Sequence, residues 1–231
     1  MYRAFGKRSL DLVAACALLP VSAPLLIFTF VTLFLTGHSR PIYRQKRLGL
    51  RGREFTIYKF KTMSDARGPD GSLLEDEARL TRIGRLLRRF SLDELPQLLN
   101  IVLGDMSIVG PRPLLPEYRE FYTKEQFRRH DVRPGVTGWA QVNGRQDLPF
   151  SRRLELDLYY VDHLNLLFDL RILIATIPKV FGGSGVVLGQ DVDDVDDLGL
   201  STRLRSEHLV KGTGIHDYQR QEGDLARRRG D

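Results

Sequence analysis

The chain has 231 residues, of which 42% are hydrophobic and 28% are charged. This suits one globular domain with its own core and is a tight fit for two. A formal net charge of +6 favours anionic partners such as lipid headgroups, nucleotides or nucleic acid. The single cysteine, Cys16, excludes an internal disulfide, and the absence of P-loop, G-x-G-x-x-G, C-x-x-C and H-E-x-x-H patterns excludes several common enzyme classes.

An uncharged apolar segment occupies residues 12–35. As one straight helix it is long enough to cross a hydrocarbon core of about 30 Å. Pro20 and Pro24 predict a kink in its middle, and Ser22 is placed to bond a carbonyl that the prolines leave free. Basic residues flank both ends, which is typical of the cytoplasmic side of a membrane. The pattern favours a re-entrant hairpin over a transmembrane span, with the span as the alternative.

Short elements follow this segment. β-Favouring residues on either side of a glycine turn predict a hairpin with strands at residues 41–46 and 54–61, and residues 64–72 predict a loop. Residues 75–90 have apolar positions at helical spacing with arginines between them, which predicts a basic amphipathic helix. Such a helix either lies on anionic lipid and presents arginines to phosphates, or packs on the core with a solvated face.

The rest of the chain is mainly helical in pattern. Helices are predicted over residues 92–102, 116–129 and 150–181, the last interrupted near Asn165. Between them, residues 136–142 are the one strand candidate in a stretch rich in turn residues.

The sharpest local pattern is Ser91-Leu92-Asp93-Glu94-Leu95-Pro96. One interpretation is structural, with Ser91 and Glu94 forming a capping box at a helix start. The other is chemical, because the positive end of a helix favours both a carboxylate and a phosphate oxygen. Adjacent helical side chains point about 100° apart, so two carboxylates there would divide roles. One would attack phosphorus and the other would hold Mg²⁺.

Cationic residues in turn-rich segments are candidates for phosphate binding, because arginine matches phosphate oxygens with two parallel donors. The candidates are Lys59, Lys61, Arg88, Arg89, Arg112, Arg133 and Arg145. Any single one is more often a surface charge. Their collection in a membrane-attached domain favours a diphosphate substrate.

Five motifs in order resemble the bacterial sugar transferases, most closely the small, PglC-like monotopic phosphoglycosyl transferases. They are Lys7-Arg8 with Asp11, IYKFKTM, SLDELPQL, GDMSIVGPRP and RPGVTGWAQVNGR. The resemblance implies transfer of a phosphosugar from a UDP-sugar to a polyprenol phosphate, with release of UMP, as the first membrane step of glycoconjugate assembly. It implies a location on the cytoplasmic face of the bacterial inner membrane. Membrane lipid would be a further partner, and no nucleic acid is expected.

The same resemblance implies roles for individual residues. Asp93 would be the nucleophile and Glu94 its partner, with both as ligands of Mg²⁺, and attack of the polyprenol phosphate on the covalent intermediate would give ping-pong kinetics. The family's membrane helix is broken by a Ser-Pro pair, whereas here Ala23 separates Ser22 from Pro24. Other residues at positions associated with the family's substrate site are Lys59, Arg88, Arg112, Glu117, Arg145, Asp157 and Asp169.

The expected fold class is α+β, mostly α, with a small β-hairpin and amphipathic interfacial helices. Residues 1–40 would hold the re-entrant membrane helix and its flanks, residues 41–187 a cytoplasmic catalytic domain and residues 188–231 a mobile tail. Two other functions stay open on the residues alone. They are a Mg-dependent lipid-phosphate hydrolase and a non-enzymatic basic membrane adaptor in which Ser91 to Glu94 is only a helix cap.

Overall fold

Helices dominate the computed structural model, which describes residues 2–69, 71–144, 147–182 and 196–199. A π-helical segment at Tyr2–Gly6 leads into α1. The helices are α1 Lys7–Leu35, α2 Asp76–Arg79, α3 Arg82–Arg89, α4 Gln97–Leu103, α5 Lys124–Phe127, α6 Trp139–Val142, α7 Phe150–Asp162 and α8 Leu166–Phe181. The strands are β1 Ile42–Leu48, β2 Glu54–Phe60, β3 Ser107–Val109 and β4 Gly135–Thr137. This confirms the predicted class, α+β and mostly α.

The long helix α1 has 29 residues and is long and apolar enough to cross a membrane, judged by length and composition. One face of the helix is buried towards each end, where Ala15 and Leu33 are 0% exposed, whereas Val21 in the middle is 78% exposed. Ala15 packs in a cluster with Phe55 of β2, and Leu33 packs in a cluster with Phe60 of the same strand. Both ends of α1 therefore rest on one globular unit.

Ser22 does not bond the carbonyl that was expected. Its hydroxyl donates to the carbonyl of Leu19 at 3.2 Å. The carbonyls that lose a helical donor to Pro20 and Pro24 are those four residues earlier, at Cys16 and Pro20. The prediction that Ser22 bonds a freed carbonyl is therefore wrong, although the serine does bond the helix backbone beside the first proline.

The predicted hairpin is confirmed, with β1 and β2 antiparallel and Ile42 opposite Phe60. The single helix predicted over residues 75–90 is instead two helices, α2 and α3. Leu80 forms a β-bridge with Met63, and the Thr81 hydroxyl accepts a hydrogen bond from the Gly84 amide at 2.9 Å, which caps α3. These two contacts interrupt an otherwise continuous helical pattern.

Three further predicted elements are divided, and the division of the third was predicted. The helix expected over residues 116–129 is a 3₁₀ segment, Pro116–Phe121, followed by α5, because Thr123 and Gln126 form a capping box that starts a new helix. The strand expected over residues 136–142 is β4 followed by α6. The break near Asn165 is confirmed, since its side-chain oxygen accepts from the Phe168 amide at 2.9 Å.

Glycines allow an unpredicted contact between β3 and β4, which pair in parallel. A Cβ atom on Gly135 would lie 2.1 Å from the Gly110 nitrogen, and one on Gly110 would lie 2.4 Å from the Arg133 carbonyl oxygen. Only the missing side chains permit this approach. It fixes the loop that follows β3 and carries Arg112.

Of the predicted tail, the structure describes residues 196–199. The Asp197 carboxylate accepts a hydrogen bond from the Ser151 amide at 3.0 Å, and Leu198 packs beside Tyr118 and Phe150. This part of the acidic run contacts the first turn of α7.

The buried side chain of Asn100 joins α4 to the free edge of β2. Its oxygen accepts from the Tyr58 amide at 3.1 Å, and its nitrogen donates to the Thr56 carbonyl at 2.7 Å. The residue is 0% exposed. It therefore satisfies two backbone groups that the two-stranded sheet leaves unpaired.

We predict that Asn100→Leu lowers the free energy of unfolding by about 2–4 kcal/mol, because a buried donor and a buried acceptor lose their partners. The matched control is Asn143→Leu, since Asn143 is exposed and, among the described residues, its side chain bonds the nearby Trp139 carbonyl alone. Denaturant unfolding of both variants in the same detergent measures the difference. Equal losses would contradict a bridging role for Asn100.

Candidate active site

Asp93 and Glu94 lie on a 3₁₀ turn, Leu92–Glu94, between α3 and α4. The preceding Ser91 adopts the left-handed conformation, with φ 55° and ψ 23°, and its side chain caps nothing. The predicted capping box is therefore wrong. Pro96 is the N-cap residue of α4, so that helix starts at Gln97 and not at the predicted residue 92. A left-handed serine is a strained backbone conformation. This strained residue directly precedes the turn that carries the two carboxylates.

Glu94 forms ion pairs with two cations from other parts of the chain. Lys59 Nζ, on β2, donates to Glu94 Oε1 at 2.6 Å, and Arg112 Nη2 donates to the same oxygen at 3.0 Å. The Glu94 side chain is only 14% exposed. Burial acts to raise the pKa of Glu94, but the attraction of Lys59 and Arg112 outweighs it and lowers the pKa to about 2. Glu94 is therefore a fixed anion at neutral pH.

Asp93 has the opposite electrostatic environment. Burial and the neighbouring charge of Glu94 raise the pKa of Asp93, against the opposing attraction of Lys59, Arg88 and Arg112. Adjacent carboxyl groups whose pKa values are driven apart are the pattern expected when two acids perform different tasks. The structure thus brings together five predicted site residues: Lys59, Arg88, Asp93, Glu94 and Arg112.

Asp157 reaches this group indirectly. Arg129 donates to the Asp157 carboxylate through Nε at 3.1 Å and through Nη2 at 2.6 Å. The same Nη2 donates to the backbone carbonyl of Arg112 at 2.7 Å. Asp157 therefore positions Arg112 through Arg129. Sequence reasoning missed Arg129, because nothing local marks a buried pair whose members are 28 residues apart.

Asp169 is held by other partners. Lys7 Nζ donates to it at 2.7 Å and the Tyr160 hydroxyl at 2.8 Å, and the Tyr2 hydroxyl donates to it as well. Among the described residues, no hydrogen bond joins Asp169 to Asp93 or Glu94. Its observed contacts fix the start of α1 against α8.

The structure describes Glu117, one of the two remaining predicted site residues, but not Arg145, the other. Glu117 has a buried carboxylate oxygen, Oε2, without a hydrogen-bond partner in the described structure. Burial and the charge of Arg112 lower the pKa of Arg47, and the charge of Glu117 opposes them. Glu117 therefore lies close enough to Arg47 to act on its charge. Arg145 lies outside the described residues.

The carboxylate pair fits Mg²⁺ as a shared ligand set. Magnesium in proteins is held by one or two carboxylates, water and substrate phosphates. Glu94 Oε2 and both Asp93 oxygens make no hydrogen bond within the described residues, so three carboxylate oxygens remain for a cation. In that same part of the chain no three His, Cys, Asp or Glu side chains cluster as a metal cage. The described residues therefore offer two carboxylates, which is within the number of protein ligands that Mg²⁺ usually takes.

Comparison with known proteins gives consistent matches over most of the chain. The sequence model of the bacterial sugar transferases matches residues 2–183. The uncharacterized sugar transferase EpsL of Bacillus subtilis is 49% identical over 78% of this chain and 89% of its own length. A UDP-glucose:undecaprenyl-phosphate glucose-1-phosphate transferase of Caulobacter vibrioides is 40% identical, over 75% of this chain and 69% of its own.

A longer relative is matched only in part. The UDP-N-acetylgalactosamine-undecaprenyl-phosphate N-acetylgalactosaminephosphotransferase of Aeromonas hydrophila is 36% identical over 79% of this chain. The chain spans 45% of the length of that protein.

We predict that Lys59→Met lowers the free energy of unfolding at pH 7 by about 2–3 kcal/mol, because it leaves a buried anion with one partner fewer. Lys61→Met is the matched control, since Lys61 pairs with Asp65, whose side chain is 68% exposed. That pair is worth at most about 1 kcal/mol.

The pH dependence of the Lys59→Met effect has a definite sign. Native Glu94 has a pKa of about 2, below its ordinary 4.5, so its stabilisation is present above pH 4.5 and is lost as the pH falls towards 2. The difference between wild type and Lys59→Met should shrink over this range. Unfolding curves between pH 3 and pH 8 test this, and a difference independent of pH would contradict the role given to Glu94.

Proposed function

Because the chain belongs to the bacterial sugar transferase family, we propose that it transfers a phosphosugar from a UDP-sugar to a polyprenol phosphate and releases UMP. The names of the Caulobacter and Aeromonas relatives, both undecaprenyl-phosphate sugar phosphotransferases, support the donor and the lipid acceptor. The observation that carries the proposal is the Asp93–Glu94 pair, one acid held as an anion and the other with a raised pKa, among Lys59, Arg88 and Arg112.

In the first step an oxygen of ionised Asp93 attacks the β-phosphorus of the UDP-sugar. The bond from that phosphorus to the bridging oxygen breaks, and UMP leaves with the bonding electron pair. The product is an aspartyl phosphosugar. Asp93 suits this role because its carboxylate is free of the two cations that occupy Glu94, so its oxygens are available for bond formation.

In the second step the phosphate oxygen of the polyprenol phosphate attacks the same phosphorus. The bond to the Asp93 oxygen breaks, which restores the carboxylate and leaves the phosphosugar on the lipid. Lys59, Arg88 and Arg112 carry three positive charges against two carboxylates, and this surplus favours the binding of each phosphate substrate in turn.

We propose Mg²⁺ as the cofactor, with Asp93 and Glu94 as its protein ligands. When bound, the ion would neutralise charge on the diphosphate and on the departing UMP. Glu94, held as an anion by Lys59 and Arg112, presents a negative ligand at any working pH.

We propose a re-entrant attachment to one leaflet, on the cytoplasmic face, and the contacts of α1 support its re-entrant form. Its first turns are bonded to the globular unit, since Asp11 accepts from the Ile108 amide at 3.1 Å, and Leu33 near its end packs with Phe60. A transmembrane span would put these two ends on opposite sides of about 30 Å of hydrocarbon. The globular unit that contacts both would then have to lie in the bilayer, with its buried charges.

We predict that Asp93→Asn abolishes turnover while leaving the fold and membrane attachment intact. Incubation of the wild type with UDP-sugar alone should give a stoichiometric burst of UMP and a mass increase of one phosphosugar on the protein, and both should vanish in Asp93→Asn. Asp65→Asn, which changes an exposed carboxylate, is the matched control.

The pH dependence of turnover follows from the raised pKa of Asp93. Because only the ionised carboxylate attacks, activity should decline as the pH falls, and the decline should begin above the ordinary aspartate pKa of about 3.9.

A lipid-phosphate hydrolase would give a different result in this assay. It would release phosphate continuously without an acceptor and would trap no sugar. Survival of turnover in Asp93→Asn would show that the nucleophile is another residue.

The membrane attachment is tested separately by cysteine labelling. In a Cys16→Ser background, the exposed residues Ser9 and Ser39, which precede and follow the apolar segment, are replaced singly by cysteine. A re-entrant helix predicts that an impermeant maleimide labels both variants in inside-out vesicles and neither in sphaeroplasts. Labelling of the two sites from opposite sides would show a span.

A further inference from the structure

A cavity of about 250 Å³ lies beside the N-terminal end of α1. Five cationic side chains line it: Arg3, Lys7, Arg8, Arg51 and Arg133. The carboxylates in the same lining are Asp11 and Asp131. The cavity therefore concentrates positive charge within protein walls, where an anion is attracted more strongly than in open water.

The fold uses only part of this charge. Lys7 is paired with Asp169 at 2.7 Å, and Arg8 donates to the carbonyls of Ile101 and Val102 at 2.6 and 3.1 Å. Arg133 uses its Nε, which donates to the Gly104 carbonyl at 2.8 Å. Its two terminal nitrogens make no hydrogen bond within the described residues, so this guanidinium keeps its two-pronged end for a ligand.

Two more of the cations, Arg3 and Arg51, are exposed. Among the described residues, neither side chain forms a hydrogen bond or an ion pair. Arg51 also adopts the left-handed conformation, with φ 56°, which is uncommon for a residue other than glycine. Their charges lie at the cavity without a structural use.

This cavity is separate from the carboxylate site. Arg8 and Arg133 bond carbonyls at the C-terminal end of α4, whereas Asp93 and Glu94 precede its N-terminal end. Ten residues separate Glu94 from Gly104, which is roughly 15 Å along a helix. One phosphate group cannot contact both places.

Size and surroundings favour a lipid headgroup as the ligand. The volume is below the roughly 300–1,000 Å³ of sites that enclose small molecules, so it suits a headgroup and not a nucleotide sugar. An exposed apolar side chain of the adjoining helix lies beside this lining, since Leu10 follows Lys7 by three residues, shares its side of the helix and is 48% exposed. Acyl chains could follow this surface while the phosphate stayed among the arginines.

We infer that this cavity binds the phosphate of an anionic membrane lipid, at a site additional to that of the proposed transfer reaction. Arg133 would provide two donors, and Arg3 and Arg51 would close on the phosphate from the exposed side. A lipid held there would fix the start of α1 at the headgroup plane. Phosphatidic acid, with its phosphate monoester, is the simplest probe of this chemistry.

The test titrates the full chain, in a neutral detergent, with phosphatidic acid and counts bound lipid by native mass spectrometry. The double variant Arg3→Gln/Arg51→Gln should bind about thirtyfold more weakly than the wild type, since two cations near an anionic lipid are lost. Neither change removes a described hydrogen bond. Arg40→Gln/Arg53→Gln is the matched control, because both of these exposed arginines lie outside the cavity lining and their loss should change binding by less than about twofold.

Three outcomes decide the inference. Selective loss of lipid in Arg3→Gln/Arg51→Gln supports it, and equal loss in the two double variants overturns it in favour of diffuse surface charge. A parallel titration with inorganic phosphate and with a zwitterionic lipid separates the possible sources. Binding of free phosphate without preference for phosphatidic acid over the zwitterionic lipid also overturns it. Asp93→Asn should retain lipid like the wild type, so failure of the proposed chemistry would leave this result unchanged.

Discussion

The carboxylate of Glu94 joins three segments that are distant in the chain. Lys59 comes from the hairpin, Arg112 from the loop after β3, and Glu94 itself from the turn between α3 and α4. A largely buried anion is stable only while its partners remain, so the three segments are bound to one arrangement. The same arrangement contributes to the field around Asp93, whose pKa is raised by burial and by the negative charge of Glu94 beside it. The electrostatic difference between the two acids thus follows from where the two cations are placed.

The membrane helix and the carboxylate pair are mechanically connected through α4. Arg8 of α1 bonds carbonyls at one end of α4, and the carboxylate turn precedes the other end. Asn100, in the middle of α4, fixes this helix to the strand that carries Lys59. A shift of α1 relative to the lipid surface would therefore move the carboxylates with it. On the proposed re-entrant attachment, the height of Asp93 above the headgroups is set by the fold.

The sequence predicted those features that are encoded by neighbouring residues, and missed those that depend on residues distant in the chain. The hairpin and the break at Asn165 follow from turn residues and caps. Charge alone selected Lys61 and Arg133 as well, which lie elsewhere, so the grouping of Lys59 and Arg112 with the two carboxylates needed the resemblance to the sugar transferases. The conformation of Ser91 could not be foreseen, because its surrounding pattern matches a capping box, whereas Glu94 is paired in the structure with Lys59 and Arg112, which are distant in the chain. The break in residues 75–90 likewise needs Met63, whose bridge to Leu80 lies across a loop. Arg129 and Asp157 carry no local signal at all.

The proposed two-step route fits the small size of the cationic group. A soluble nucleotide sugar and a lipid phosphate both need the same few positive charges, and Lys59, Arg88 and Arg112 are too few to hold the two at once. Storing the phosphosugar on Asp93 lets UMP leave before the lipid arrives, so one group of cations serves both substrates in turn. A side chain fixed at the headgroup plane then meets the lipid phosphate where its reactive oxygen already lies. On this proposal, the covalent intermediate carries the phosphosugar from the water-soluble donor to the lipid acceptor, and the shallow membrane helix holds the intermediate at the level of the lipid phosphate.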